Sequence, residues 1–191
     1  MNSAGKIERE APSPDQLAAA REPNQGAACT TAAIVTVLRA MGARDLPDLA
    51  RATVELGAPA PYGPPPIRSY LRWPWKRAAP LDRAVEALAA GSGLTVRCRT
   101  SLRLPWPGPR PTGGSSVVAN LAYGQEAPGV EGTWGWNPLR PSTYGSGGHS
   151  VVVAAVLEGG ERLVVDPNWP GLQRWRHPGW SVTATRIWHL G

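Results

Sequence analysis

Between positions 149 and 166 the chain reads His-Ser-Val-Val-Val-Ala-Ala-Val-Leu, then Glu-Gly-Gly-Glu, then Arg-Leu-Val-Val-Asp. Two β-branched runs joined by a glycine-bearing turn are a strong β-hairpin signal. The first run is apolar on both faces, so it belongs inside a sheet that is covered from both sides. Whatever else the chain does, it must build an antiparallel sheet around this hairpin. The register depends on the turn. A turn at Gly159-Gly160 sets Asp166 opposite Val153, whereas one at Glu158-Gly159 sets it opposite Val151, a diagonal neighbour of His149. Both place Asp166 on the histidine's face, because side chains alternate along a strand. We expect the closer arrangement.

The other elements are shorter. Residues 1–22 are polar, carry Pro12 and Pro14, and read as a flexible extension with a brief helical tendency at Asp15 to Arg21. Residues 23–191 read as one domain, since 191 residues suit a single core and leave no room for a second full domain. From Gly26 a helical face appears in Cys29, Ala33, Ile34, Val37, Leu38 and Met41, and Gly42 stops it. A second helix is expected over Leu46 to Leu56 with Asp45 as its cap, and a third over Leu81 to Ala90. Period-two alternation predicts a strand over Leu94 to Thr100, with Cys98 a packed thiol on the face of Leu94 and Val96. Further strands are expected over Ser115 to Tyr123 and Val182 to Trp188. Ile67 to Trp73 fits a short helix or a strand equally well. The Gly/Pro/Trp-rich run up to Gly148 reads as a long functional loop leading into His149.

Composition limits the partners. The net charge is +6 and the sequence pI near 10.0, yet only Lys6 and Lys76 are lysine and the arginines are spread along the chain. Nucleic acid is therefore not an expected partner. The one compact basic and aromatic stretch, Arg68 to Arg77, reads as a surface loop. Nine Trp, four Tyr and no Phe make tryptophan the main aromatic packing residue, mostly as anchors pinning loops to the core. Cys29 and Cys98 have no metal-ligand spacing, so no metal or cofactor is expected; a disulfide between them stays open. The N-terminus lacks the apolar core of a secretory signal and no run is long enough to span a bilayer. A cytoplasmic protein is expected, unless a specialised secretion machine delivers it into another cell.

Three chemically capable residues stand at element ends: Cys29 opening a helix, His149 opening a strand, Asp166 closing the partner strand. A thiol at a helix start is biased toward thiolate by the unpaired N–H groups and the positive end of the macrodipole. With an imidazole to hold the thiolate and a carboxylate to orient the imidazole, these residues make a nucleophile, an acid/base and an orienter. Each alone has a bland alternative: a buried cysteine, a core histidine, and an Asp-Pro turn. His177 and His189 are expected to be ordinary packed or surface histidines.

A Gln shortly before a helix-opening Cys, an Ala-rich helix ending in Met-Gly, then Gly-His-Ser-Val-Val-Val and Leu-Val-Val-Asp-Pro resembles the papain-like cysteine peptidases. Within them it is closest to the bacteriocin-processing, double-glycine peptidase-like branch. The likeness covers residues 24–42, 81–125 and 147–170, roughly half the chain. It implies an α+β, papain-like fold in which an N-terminal helix carrying Cys29 packs on an antiparallel sheet carrying His149 and Asp166. It also implies Gln25 as oxyanion donor beside the cysteine's own N–H, a contribution of about 3 kcal/mol to transition-state binding. The chain departs from the family at two points. Gln25 is only four positions before Cys29, and Thr30 stands where many members have Gly. Asn24 is the substitute donor, Asn168 and Trp169 would shield the imidazole, and Asn168 is an alternative orienting residue.

The leading expectation is a cysteine protease acting on a protein or peptide, beside small residues such as Gly-Gly, in the manner of a bacterial toxin or effector with a cognate inhibitor or immunity protein. A peptidoglycan amidase or endopeptidase, and a deamidase or acyltransferase, would use the same triad. A basic, Trp-rich binding domain with an inert Cys29 is the non-enzymatic alternative.

Overall fold

The structure is a computed structural model, and it describes residues 8–26, 28–57, 80–102, 110–121, 149–175 and 181–191. Among the described residues four helices, α1 (Pro14–Ala19), α2 (Cys29–Ala40), α3 (Leu49–Glu55) and α4 (Pro80–Gly91), accompany six strands. These are β1 (Val96–Leu102), β2 (Ser115–Leu121), β3 (His149–Val156), β4 (Arg162–Val165), β5 (Leu172–Trp175) and β6 (Ser181–His189). They form one antiparallel sheet in the order β1-β6-β2-β3-β4-β5. The chain is thus an α+β protein, and the run that is apolar on both faces, β3, lies inside the sheet between β2 and β4.

Alternation sorts the sheet's side chains into two buried sets. On one face Val96, Cys98, Val118, Val152, Val165 and Ile187 pack with Leu17 of α1, Ile34 and Leu38 of α2, Ala52 of α3 and Val85 of α4. On the other face Val117, Ala119, Val151, Val153, Val164, Trp175 and Ala184 form a second cluster. His149 shares the alternation of Val151 and Val153, and Asp166 follows that of Val164.

The hairpin reaches the expected register by an unexpected route. Near the site Val152 pairs with Val165 and Val153 with Val164, and extending that register by one residue sets Asp166 opposite Val151. The turn, however, is not a two-residue one. Glu158–Gly160 form a 3₁₀ turn closed by Leu157 N–H to Glu161 O (2.7 Å), with Gly159 and Gly160 both at positive φ. This loop leaves Val156 opposite Arg162, one residue out of step, and an irregularity between Val153 and Ala155 restores the step. A bulge absorbs the odd residue where the glycines would otherwise have dictated the pairing.

Three other expectations are corrected. Residues 8–22 are packed, not a flexible extension. The Ser13 capping box starts α1, Leu17 is 1% exposed in the core, Arg9 N–H donates to His189 O, and Glu22 N–H donates to Thr36 Oγ1. One apolar residue on a two-turn helix is too faint a pattern to reveal this docking. The second helix starts at Leu49 with Asp48, not Asp45, as its cap, its carboxylate accepting from Arg51 N–H (2.8 Å). Pro47 disfavours helical backbone at Leu46 and so delays the start. Strand β5, read as loop in the sequence, is a four-residue edge strand. Residues 67–73 and the loop up to Gly148 lie outside the described residues, as does Arg68 to Arg77.

Strand β1 occupies the opposite edge, and α4 closes its hydrogen-bonding side. Asp82 Oδ1 accepts from Thr100 N–H (2.7 Å) and Glu86 Oε1 from Cys98 N–H (2.9 Å). Two carboxylates one helical turn apart thus meet two N–H groups one strand repeat apart, blunting an edge that could otherwise pair with another chain. Among the described residues no helix is long and apolar enough to cross a membrane.

Leu17→Ala is expected to cost about 3 kcal/mol of stability in urea unfolding, the usual scale for a buried leucine. A loss below about 0.5 kcal/mol would show that the N-terminal segment contributes nothing to the core.

Candidate active site

Helix α2 begins at Cys29, and Ala28 before it offers no side-chain cap. The first intrahelical bond is Ala32 N–H to Ala28 O (2.9 Å). The positive end of the helix is thereby directed at the thiol rather than neutralised by a capping oxygen. Cys29 is 5% exposed, His149 8% and Asp166 0%. His149 Nε2 lies 2.9 Å from Asp166 Oδ1, and since a carboxylate only accepts, the nitrogen donates. That leaves Nδ1 as the imidazole nitrogen for the thiol, and Cys29 and His149 are hydrogen-bonded.

The electrostatics follow from burial and partners. Burial pushes the Cys29 thiol up, but the hydrogen bond and charge of His149, with backbone N–H groups of Ser150 and Thr30 on the sulfur, bring it below its ordinary value. Burial likewise disfavours the imidazolium of His149, yet Asp166 and Cys29 outweigh it and raise its pKa to about 9. The two shifts belong to one coupled pair, and both run toward a thiolate beside an imidazolium. Cys98 is the contrast: burial and the charges of Asp82 and Glu86 hold its thiol well above the ordinary value. Neither cysteine is in a disulfide, which closes that open question.

The loop after Asp166 is tied to the loop before Cys29. Asn168 N–H donates to Asp166 Oδ1 (2.8 Å), and Trp169 N–H to Asp166 O (3.1 Å). Asn24 N–H and Arg21 Nη1 both donate to Pro167 O (2.9 and 2.8 Å). The Asn24 amide donates to Asn168 Oδ1 (2.8 Å) and to Gly26 O (3.0 Å). Both amide hydrogens are therefore engaged, and Asn24 is a clamp between two loops rather than a substitute oxyanion donor. Asp166, not Asn168, orients the imidazole, because the Asn168 side chain is turned to Asn24. Trp169 is half-buried beside them.

Cys29, His149 and Asp166 are brought together, and Gln25 takes no part in their hydrogen bonds. It is exposed in the turn before α2 and makes no hydrogen bond among the described residues, so it lacks the anchoring of a preorganised donor. The sequence reading missed Thr30 and Ser150, whose backbone N–H groups face the sulfur, and Arg21. The only available signal was position, one residue after the cysteine and one after the histidine. Among the described residues no group of His, Cys, Asp or Glu could hold a metal ion. No protein-family model matches the chain, and no curated protein matches it either.

Iodoacetamide should alkylate Cys29 with a pH midpoint below the thiol's ordinary 9.0 and leave Cys98 untouched in the folded protein. In His149→Ala the burial persists while its largest opposing partner is gone. The midpoint should then rise above 9.0, and the rate at pH 7 should fall by about tenfold or more. Equal rates in the two proteins would dissolve the pair.

Proposed function

We propose that this chain is a cysteine peptidase of papain-like design, hydrolysing peptide bonds of a protein substrate through Cys29, His149 and Asp166. The observation that carries the reading is a buried thiol and imidazole in contact, with the first lowered, the second raised to about 9, and a buried carboxylate on the far nitrogen. Buried ionisable groups shifted toward each other by a direct contact are what nucleophilic catalysis requires, and a packed structural cysteine such as Cys98 has no use for them.

The mechanism follows from the donors and acceptors. The Cys29 thiolate attacks the carbonyl carbon, forming a C–S bond and moving negative charge to the carbonyl oxygen. Imidazolium at His149 gives its Nδ1 proton to the leaving amine as the C–N bond breaks. Water then attacks the thioester, losing a proton to Nδ1, and the C–S bond breaks to restore the thiolate and the imidazolium. Throughout, Asp166 holds Nε2–H and stabilises the charged ring. The uncapped start of α2 offers the developing oxyanion the positive end of a helix, the role for which Gln25 is poorly anchored.

The resemblance of the cysteine, histidine and aspartate segments to the double-glycine processing branch supports small residues at the cleavage site. The net charge of +6 supports a second reading with the same triad, an amidase or endopeptidase on anionic cell-wall polymer.

A proteome-derived peptide library and purified cell walls, each with Cys29→Ala as control, separate these readings. Cleavage of peptides that falls by at least about a thousandfold in the variant is expected; cleavage of cell walls alone would replace the first reading by the second. For the true substrate kcat/KM should be bell-shaped. The acid limb reports protonation of Cys29 below its ordinary value, and the alkaline limb near pH 9 reports loss of the His149 proton. A profile flat through pH 9 would remove His149 as general acid.

A further inference from the structure

One residue after the nucleophile and one residue after the histidine, two hydroxyls meet. Thr30 Oγ1 and Ser150 Oγ are 2.7 Å apart, both side chains buried, on residues 120 positions apart in sequence. Ser150 has a single hydroxyl hydrogen, and Asn120 Oδ1 takes it at 2.7 Å. Thr30 is therefore the donor in the pair. The Asn120 amide in turn donates to Thr183 Oγ1 (2.8 Å). The direction is thus Thr30 to Ser150 to Asn120 to Thr183, from the start of α2 across β3, β2 and β6.

The row is built into the sheet. Asn120 stands directly opposite Ser150 on one side and Thr183 on the other, so the three side chains share a face and need no long reach. The alternation that turns Ser150 toward α2 also turns His149 to the other face. A single dipeptide, His149-Ser150, thus binds the thiol with one side chain and the helix bearing it with the next.

We infer that Thr30 and Ser150 are positioning residues: their bonded hydroxyls, anchored through Asn120 to Thr183, hold the start of α2 against β3 so that the Ser150 backbone N–H and the His149 imidazole stay on the Cys29 sulfur. This rests on Cys29 being the nucleophile. The sulfur's two backbone donors come from the very residues whose side chains are bonded to each other. A shift of a few tenths of an ångström between helix and strand would loosen the Ser150 donor and the imidazole contact together, since both belong to β3, while the Thr30 donor travels with the sulfur on α2.

The test uses the full chain and the pH dependence of Cys29 alkylation by iodoacetamide, which needs no substrate. Thr30→Val keeps the shape and removes the donor. Its midpoint should rise by about one pH unit, lowering the rate about tenfold at pH values below both midpoints and leaving it unchanged well above them. Thr30→Ser should restore the wild-type midpoint. A structural role alone would lower the melting temperature of Thr30→Val and leave its midpoint in place, and that result overturns the inference. Thr183→Val, at the far end of the row and beside neither sulfur donor, should move the midpoint the same way by a smaller amount; it decides alone if Thr30→Val does not fold. An unreactive wild-type Cys29 would instead sink the nucleophile itself, an outcome distinct from a reactive wild type whose variants match it.

Discussion

The His149–Asp166 hydrogen bond sustains a positive ring in a place where water scarcely reaches. Burial by itself would keep both the imidazole and the Cys29 thiol neutral, since desolvation is the largest influence on each. A neutral pair would be an inert pair. The carboxylate reverses this for the imidazole, the imidazolium then reverses it for the thiol, and the chain of dependence runs in that order. Asp166 is held in turn by its own loop, through Asn168 N–H, and by the register that brings it diagonal to His149.

Register is therefore a chemical variable here. A slip of one residue between β3 and β4 would turn Asp166 to the other face of the sheet. The loop at Glu158–Gly160 does not by itself give the working register, and the irregularity between Val153 and Ala155 supplies the missing step. Ties outside the sheet hold the remaining degrees of freedom. Asn24 and Arg21 fasten the approach to Cys29 onto Pro167 and Asn168, while Thr30 fastens the start of α2 onto Ser150. Thiol, imidazole and carboxylate thus come from three separated segments joined by short polar contacts, and the apolar core sets only their coarse placement.

Strongly periodic segments were the legible ones. The apolar stripe of α2, the alternation of β1, and the β3–β4 pair all announce themselves, because burial on one or two faces imposes a period that composition cannot hide. Where the period is short of one full repeat the signal vanishes: α1 carries one buried leucine, and β5 has four residues with Gln173 and Arg174 among them. Asp45 has the chemistry of a cap, but Pro47 disfavours helical backbone at Leu46 and moves the cap to Asp48.

The sequence by itself determined the types of the main elements, the face that His149 and Asp166 share, and the place of Cys29 at a helix start. All of these follow from local periodicity and from the chemistry of chain ends. Only the tertiary structure decided that Thr30 meets Ser150 and Asn24 meets Asn168, contacts spanning 120 and 144 residues. Alternation tells which way a side chain points, but not which distant element packs there to receive it. For the same reason Gln25, one residue from a clamp and four from the thiol, is legible as a candidate and is exposed in the fold.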